Sequence, residues 1–285
     1  MIKQGEAIGV HWAEQVATYE KQQAKLDDYY SALLSSKVVL PAYYLQPFHA
    51  YDEGNLSWQA AMEVGSAALT VHANIYTPDR KTLEAQGDDK LRSRFHDCMR
   101  QAIEQNGRGF VPKRIIDVGC STGISTLKLA ESFPEAEVIG IDLSAFMLSV
   151  AKLDLETKKE ARGRITYLYA AAEATSLGEG DVDMVAMSLV SHELPAEASI
   201  AAFKEAYNIL PSGGCLSLMD MDPNSASFQA LACNPFAFTA FKSTEPWLTS
   251  YMGLSLEEEL INQGFVDVSI RINSPRHRTV VAWKR

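Results

Sequence analysis

The stretch RIIDVGCSTGISTLKLA, residues 114–130, restricts what this chain can fold into more than any other segment. Ile115, Ile116 and Val118 make a short apolar run of the kind buried in a sheet. Gly119 and Gly123 permit a tight turn beside it. Ile124, Leu127 and Ala130 then follow helical spacing. A strand, a glycine turn and a helix in that order bring backbone close to something at the strand's carboxyl end.

The pattern continues. From about residue 109, strand candidates at 114–118, 137–141, 165–169, 182–188, 214–218, 266–272 and 279–283 are expected, with helices between the first five. Alternation of this kind specifies an α/β fold: a mostly parallel, Rossmann-like sheet of seven strands with helices on both faces. The last two strands have no helix between them and should pair as an antiparallel hairpin. Residues 196–210 illustrate the helices, with Pro195 at the start, Pro211-Ser212-Gly213-Gly214 at the end, and Ile200, Phe203, Tyr207 and Leu210 as the buried stripe.

Residues 1–108 read differently, as a helical cap with an aromatic lid loop. Trp12, Val16, Tyr19, Leu26, Tyr30 and Leu33, a stripe broken only at Gln23, predict one amphipathic helix ending near Ser35-Ser36. Residues 37–58 are rich in aromatics and broken by Pro41, Pro47 and Gly54, so a loop packed over a pocket is expected. Helices should follow at 57–72 and from Asp88, an N-cap, to Gly107. This divides the chain into 1–108 and a ligand-binding domain, 109–285, with an acceptor-pocket insertion at 222–254.

Composition narrows the function. Hydrophobic residues are 47% and charged residues 22% of the 285, ordinary for a chain with a substantial core. Lys+Arg 26 against Asp+Glu 36 gives −10, which disfavours nucleic acid as a partner. No apolar run approaches the ~18 residues of a membrane span. Cys98, Cys120, Cys215 and Cys233 have no CxxC spacing, so neither a zinc site nor a disulfide framework is indicated. A cytoplasmic setting is expected, or a plastid one if a transit peptide has been removed.

Asp142 ends the second strand, 142 − 119 = 23 positions after Gly119, where an acid accepts hydrogen bonds from the two hydroxyls of a ribose. The turn G-C-S-T-G is not G-x-G-x-x-G, and Asp117 before it would repel a pyrophosphate. No P-loop is present. The ligand is therefore read as an adenosine cofactor carrying a positive charge rather than a phosphate.

These segments resemble the class I S-adenosylmethionine-dependent methyltransferases, over about residues 113–285. DVGCSTG is similar to the family's first motif, GIDLSAFML to its second and AAAEATSL to the segment along the adenine. DMVAMSLVSHEL is similar to the fourth strand and its active-site end, and NILPSGGCLSLMD to the approach to the fifth strand. Ser121 stands where the family has its middle glycine. LQPFHAYDEGNLSW and FKSTEPW resemble a less familiar subgroup of small-molecule methyltransferases in photosynthetic organisms. The resemblance implies S-adenosyl-L-methionine as cofactor and S-adenosyl-L-homocysteine as product. It places Asp117 and Gly119 at the methionyl amino end, with Cys120, Ser121, Thr122 and Gly123 in the turn. Asp142 falls on the ribose, Leu143, Ala172 and Glu173 around the adenine, and Ser188 and Leu189 under the sulfonium.

The acceptor is read from the strand ends and the lid. His192 follows the fourth strand and is the leading base, with Glu193 beside it and His49 in the loop as second choice. Tyr44 and Tyr51 are expected to touch the site, where aromatic faces attract a sulfonium. Asp52, Glu53, Glu193, Asp220, Asp222 and Glu245 favour a small amine acceptor if several converge. O-methylation with His192 as general base is the rival. An NAD-dependent oxidoreductase and a non-catalytic adenosine-binding module are further alternatives. A monomer and a dimer fit equally.

Overall fold

The computed structural model describes residues 1–34, 38–77, 81–107 and 109–285. Seven strands form one sheet in the order β3-β2-β1-β4-β5-β7-β6. They are β1 Arg114–Val118, β2 Glu137–Asp142, β3 Ile165–Tyr169, β4 Met184–Ser188, β5 Cys215–Met221, β6 Val266–Ile272 and β7 His277–Trp283. The first five are parallel, and β7 inserts antiparallel between β5 and β6. The Rossmann-like α/β reading therefore holds. The chain runs outward from β1 through β2 to β3, then returns to β4 on the other side. The crevice above β1 and β4 is thus the topological switch point, where open parallel sheets bind ligands.

The strand sequences explain the layering. Adjacent residues of a strand face opposite sides. Ile116, Val185 and Leu216 pack with Phe203 and Phe265 on one face, while Ile115, Met184 and Cys215 pack with Leu91, Phe95 and Leu129 on the other. The helices are α1 Ile2–Ala7, α2 Trp12–Glu20, α3 Gln23–Leu33, α4 Trp58–His72, α5 Gly87–Asn106, α6 Ile124–Ser132 and α7 Ala145–Leu155. After them come α8 Ala196–Ile209, α9 Ala226–Ala232, α10 Pro235–Lys242, α11 Leu248–Met252 and α12 Leu256–Asn262. Leu26, Ala60 and Met62 from α3 and α4 join Met147 and Val150 of α7 in a third apolar cluster, which seats the N-terminal helices beside the second strand–helix unit.

Three expectations need correction. The helix expected as one piece from Trp12 is two, α2 and α3, interrupted at Lys21-Gln22. The break lets α2 lie on α4 while α3 lies on α7, so each half buries its own stripe; the expected end at Ser35-Ser36 lies outside the described residues. No helix joins β3 to β4. That segment is docked instead on α8, with Thr175 donating from its N–H and hydroxyl to Glu205 and the Gly180 N–H to the Ile209 carbonyl. Asp88 is not an N-cap; α5 begins one residue earlier, and the Asp88 side chain turns inward to His72 and Arg92.

Candidate active site

The cofactor-side geometry starts at the end of β1. Gly119 has φ 68, and a Cβ there would sit 2.7 Å from Val190 Cγ2. Gly123, φ 81, caps α6 against the Tyr167 hydroxyl, which an added Cβ would strike. Only glycine fits either position without moving the opposite wall. Asp117 is fully buried between them. Its Oδ2 accepts from the Ser125 and Thr126 hydroxyls, both at 2.7 Å, which pins the first turn of α6. Burial pushes its carboxyl up to about 6 against those two hydrogen bonds, and its Oδ1 has no hydrogen-bond partner among the described residues.

Asp142 closes β2. Its Oδ1 accepts from the Ser144 N–H at 2.8 Å and the Tyr44 hydroxyl at 3.1 Å, and its Oδ2 from the Ser121 N–H at 2.8 Å. Ser144 caps α7 with its own hydroxyl, so Asp142 is not needed for that role.

The turn after β1 and the end of β2 open onto one cavity of about 1310 Å3. Pockets for a single small ligand measure roughly 300–1,000 Å3, so there is room for a cofactor and an acceptor together. Gly119, Cys120, Ser121 and Thr122 line it, as do Asp142, Leu143 and Ala172. Ser188 and Leu189 also line it, and the Ser188 hydroxyl is buried with no hydrogen-bond partner among the described residues. Asp117, Gly123 and Glu173 do not line it. Glu173 instead accepts a hydrogen bond from Tyr43 at 2.8 Å beside a smaller surface pocket.

Further along, the cavity becomes acidic. His192 lies in a short 3-10 turn after β4, with its Nδ1 2.7 Å from Asp220 Oδ1 of β5. Burial lowers its basicity, yet Asp220 prevails and raises it to about 10. Glu193 follows it, and burial pushes that carboxyl up to about 7 despite His49 and His192. His49 reaches in from the lid, its Nε2 at 3.2 Å from Glu245 and 3.7 Å from Glu193. Burial opposes its protonation, but Glu245 and Glu193 raise its pKa overall. Glu245 is only 5% exposed, and its Oε2 has no hydrogen-bond partner among the described residues.

The lid is the aromatic loop. Phe48 and Tyr51 close a tight turn by mutual backbone hydrogen bonds, and the His49 N–H donates to the Thr244 carbonyl. Tyr43, Tyr44, Phe48 and Tyr51 line the cavity, with the Tyr51 hydroxyl on Glu63 at 2.8 Å. Trp58 does not; it packs tilted against Tyr30 of α3 and edge-on against Phe146 of α7. Asp52 and Glu53 stay out of the cavity. Phe228, Phe241, Glu245 and Trp247 of the 222–254 segment supply the opposite wall.

Backbone strain marks the same place. Among the described residues, six other than glycine have positive φ, and four of them, His49, Ala50, Ser121 and Leu189, line this cavity. Such strain persists where surrounding structure enforces it, often at functional sites. His72, Arg92, Arg276 and His277 also line the cavity and were not among the residues expected there. They come from α4, α5 and the β6–β7 turn, and no local motif links them.

Residues 115–214 match the family model described as a methyltransferase domain. With this sheet order and turn, that match makes residues 115–214 similar to the methyltransferase domain of the class I S-adenosylmethionine-dependent enzymes. The chain is 30% identical over 165 residues to a demethylmenaquinone methyltransferase of Lactococcus lactis, covering 57% of this chain and 62% of that one. It is 29% identical over 188 residues to a trans-aconitate 2-methyltransferase of Methylobacterium radiotolerans, covering 61% and 67%. The first of these relatives is thus spanned over less than two thirds of its length. A solved phosphoethanolamine N-methyltransferase 2 of Haemonchus contortus, in complex with S-adenosyl-L-methionine, superposes with TM-score 0.53 at 16% identity, over 88% of this chain and 61% of that one. That likeness speaks to the fold. Among the described residues, no helix is long and apolar enough to cross a membrane.

Proposed function

We propose that this protein transfers the methyl group of S-adenosyl-L-methionine to the amine nitrogen of a small metabolite. The observation that carries the reading is the junction of two unlike ends in one cavity. One end is a glycine-lined cradle with the Asp142 carboxylate and the orphan Ser188 hydroxyl; the other is the carboxylate pair Glu193 and Glu245. The cradle fits the cofactor: Asp142 would hold the ribose, Leu143 and Ala172 the adenine, and Gly119 and Ser188 the methionyl end. Bound there, the cofactor supplies a methyl group already activated by its sulfonium. Asp117 supports the cradle from beneath by fixing α6, rather than by lining the cavity.

The chain's own residues supply charge, alignment and proton handling. Buried carboxylates favour a cationic acceptor over an anionic one at that end. Glu193, near 7, can take the proton an ammonium must lose before its nitrogen attacks. His192, held protonated by Asp220 at neutral pH, suits orientation of the acceptor better than abstraction of a proton. This difference ranks the amine above the hydroxyl acceptor. The aromatic lid excludes water from the cavity.

Two measurements test the reading. Calorimetric titration should show binding of S-adenosylhomocysteine and none of NAD; the reverse would refute the cofactor assignment. Labelled-methyl transfer to panels of small amines and phenols should favour amines, with kcat falling far more in Glu193→Gln than in His192→Ala. A large kcat loss confined to His192→Ala, on hydroxyl acceptors, would establish the O-methylation alternative.

A further inference from the structure

Part of the cavity wall is built like the face of a core helix but opens on the cavity. On α4, Val64, Ala67, Ala68 and Val71 all line it. They recur at i, i+3, i+4 and i+7, the spacing by which an amphipathic helix seats itself on a core. The first turn of α4 does seat itself that way, with Ala60, Ala61 and Met62 buried beside Leu26 of α3 and Met147 of α7. Ala67, Ala68 and Val71 belong to none of the three apolar clusters among the described residues, and Val71 is 51% exposed. On α9, Phe228 is buried and lines the cavity from the inside, and Leu231 lines it three residues on, outside every cluster.

Both helices stand at the acceptor end. α9 follows β5, the strand that carries Asp220, the partner of His192. Phe228 shares a cluster with Met221, the last residue of that strand. α4 ends against the β6–β7 turn. The His72 and His277 rings lie edge to face with centroids 6.3 Å apart, and His277 pairs with Met221 across the sheet. The polar side chains here are tied to protein neighbours: His72 and Arg92 to Asp88, Arg276 to Asn74, and His277 to Ser274. Beside them, α4 and α9 offer a ligand apolar surface.

We propose that the acceptor is an amphiphile, its amine held at Glu193 and Glu245 and an apolar chain running between α4 and α9 to the surface at Val71 and Leu231. This rests on the reading of the cavity as an amine methyltransferase site. The cavity, about 1310 Å3, exceeds the roughly 300–1,000 Å3 of a single-ligand pocket, and the stripe from Val64 to Val71 supplies about 10 Å of apolar wall. A second copy of the protein could cover Val71 but could not follow the wall inward to Phe228, which is 4% exposed. A chain continuous with the bound amine reaches both, and it removes from water a face that α4 leaves uncovered.

The test is calorimetric titration of propylamine, hexylamine and decylamine, and of the alcohols of the same lengths, into the protein saturated with S-adenosylhomocysteine. Affinity should rise with chain length, by up to about fourfold per methylene. Val71→Gln and Leu231→Gln should each weaken decylamine binding tenfold or more. Both side chains lie outside the packed clusters, so S-adenosylhomocysteine affinity should stay unchanged and reports an intact fold. Absence of chain-length dependence in both series overturns the proposal. A dependence indifferent to both variants overturns it as well. So does one seen only without S-adenosylhomocysteine, because the chain would then occupy the cofactor's place. A changed sedimentation coefficient in either variant would assign the stripe to a second copy instead. Chain-length dependence in the alcohols without amine binding refutes the amine reading and keeps the chain site. If S-adenosylhomocysteine does not bind wild type at all, the cofactor reading fails on its own, and the same series titrated into the ligand-free protein decides the chain site.

Discussion

His192 Nδ1 and Asp220 Oδ1 stand 2.7 Å apart, joining the turn after β4 to the neighbouring strand β5 beneath the cavity. The His192 pKa, raised to about 10 against an ordinary value of 6.5, makes this pair a pH-dependent stabiliser. A raised histidine contributes fully below the unfolded pKa and loses its contribution as pH climbs through the folded one. Asp220→Asn should therefore destabilise the protein by about 2–4 kcal/mol below pH 6.5, and the gap to wild type should close toward pH 10. Urea unfolding at pH 6, 8 and 10 measures it. A gap that does not change with pH would sink the coupling.

Glu193 predicts the opposite kind of variant. Its carboxyl is raised to about 7 from 4.5, chiefly by burial, so the protein loses stability as pH rises through that range. Glu193→Gln should match wild type near pH 4.5 and exceed it by about 1–2 kcal/mol at pH 8, since no charge then needs to be buried. The same variant should lose methyl transfer to amines. A variant less stable than wild type at pH 8 would show that Glu193 is a structural carboxylate, held by His49.

The contrast between these sites and the rest of the fold shows what a sequence can reveal. Ile115, Ile116 and Val118 sit in β1, with Gly119 and Gly123 turning behind them and Asp142 ending the next strand, because each role is set by local chemistry within a few residues. The β6–β7 hairpin was visible for the same reason. The break between α2 and α3 was not, because Lys21-Gln22 carries no breaker; it follows from α4 and α7 offering two differently placed grooves. Asp117 resembled a ligand contact in sequence, yet Ser125 and Thr126 claim one of its oxygens. The His72, Arg276 and His277 wall was invisible because tertiary packing alone assembles it. Glu245 was legible only as one acid among many. Its burial beside His49 singles it out.

The lid turn carries its own prediction. His49 and Ala50 adopt φ 51 and φ 67 in succession, a pairing hairpin turns usually give to Asn-Gly. The left-handed region costs an ordinary L-residue roughly 1–2 kcal/mol, part of which glycine's extra unfolded entropy returns. Ala50→Gly should therefore stabilise the protein by about 0.5–1 kcal/mol, read as a higher urea midpoint with unchanged m. His49 would keep its place between Glu193 and Glu245, so its side-chain titration should not move. A loss of stability would mean that the Ala50 methyl makes contacts worth more than the strain.

Gly119 is the sharpest test of the cradle. Its φ of 68 and the 2.7 Å approach of a Cβ to Val190 Cγ2 impose two separate costs on any larger residue. Val190 immediately precedes the Ser191–Glu193 turn, so displacing it also shifts His192 and Glu193. Gly119→Ala should cost about 2–3 kcal/mol of stability and at least tenfold in S-adenosylhomocysteine affinity, measured by unfolding and by calorimetry. Adding Val190→Ala makes room for the Cβ while leaving the backbone strain in place. The double variant should then recover part of the stability beyond additivity, a positive coupling of about 1 kcal/mol in a double-mutant cycle. Full additivity would place the whole cost in the backbone angle, and the Val190 contact would have no part in shaping the cradle.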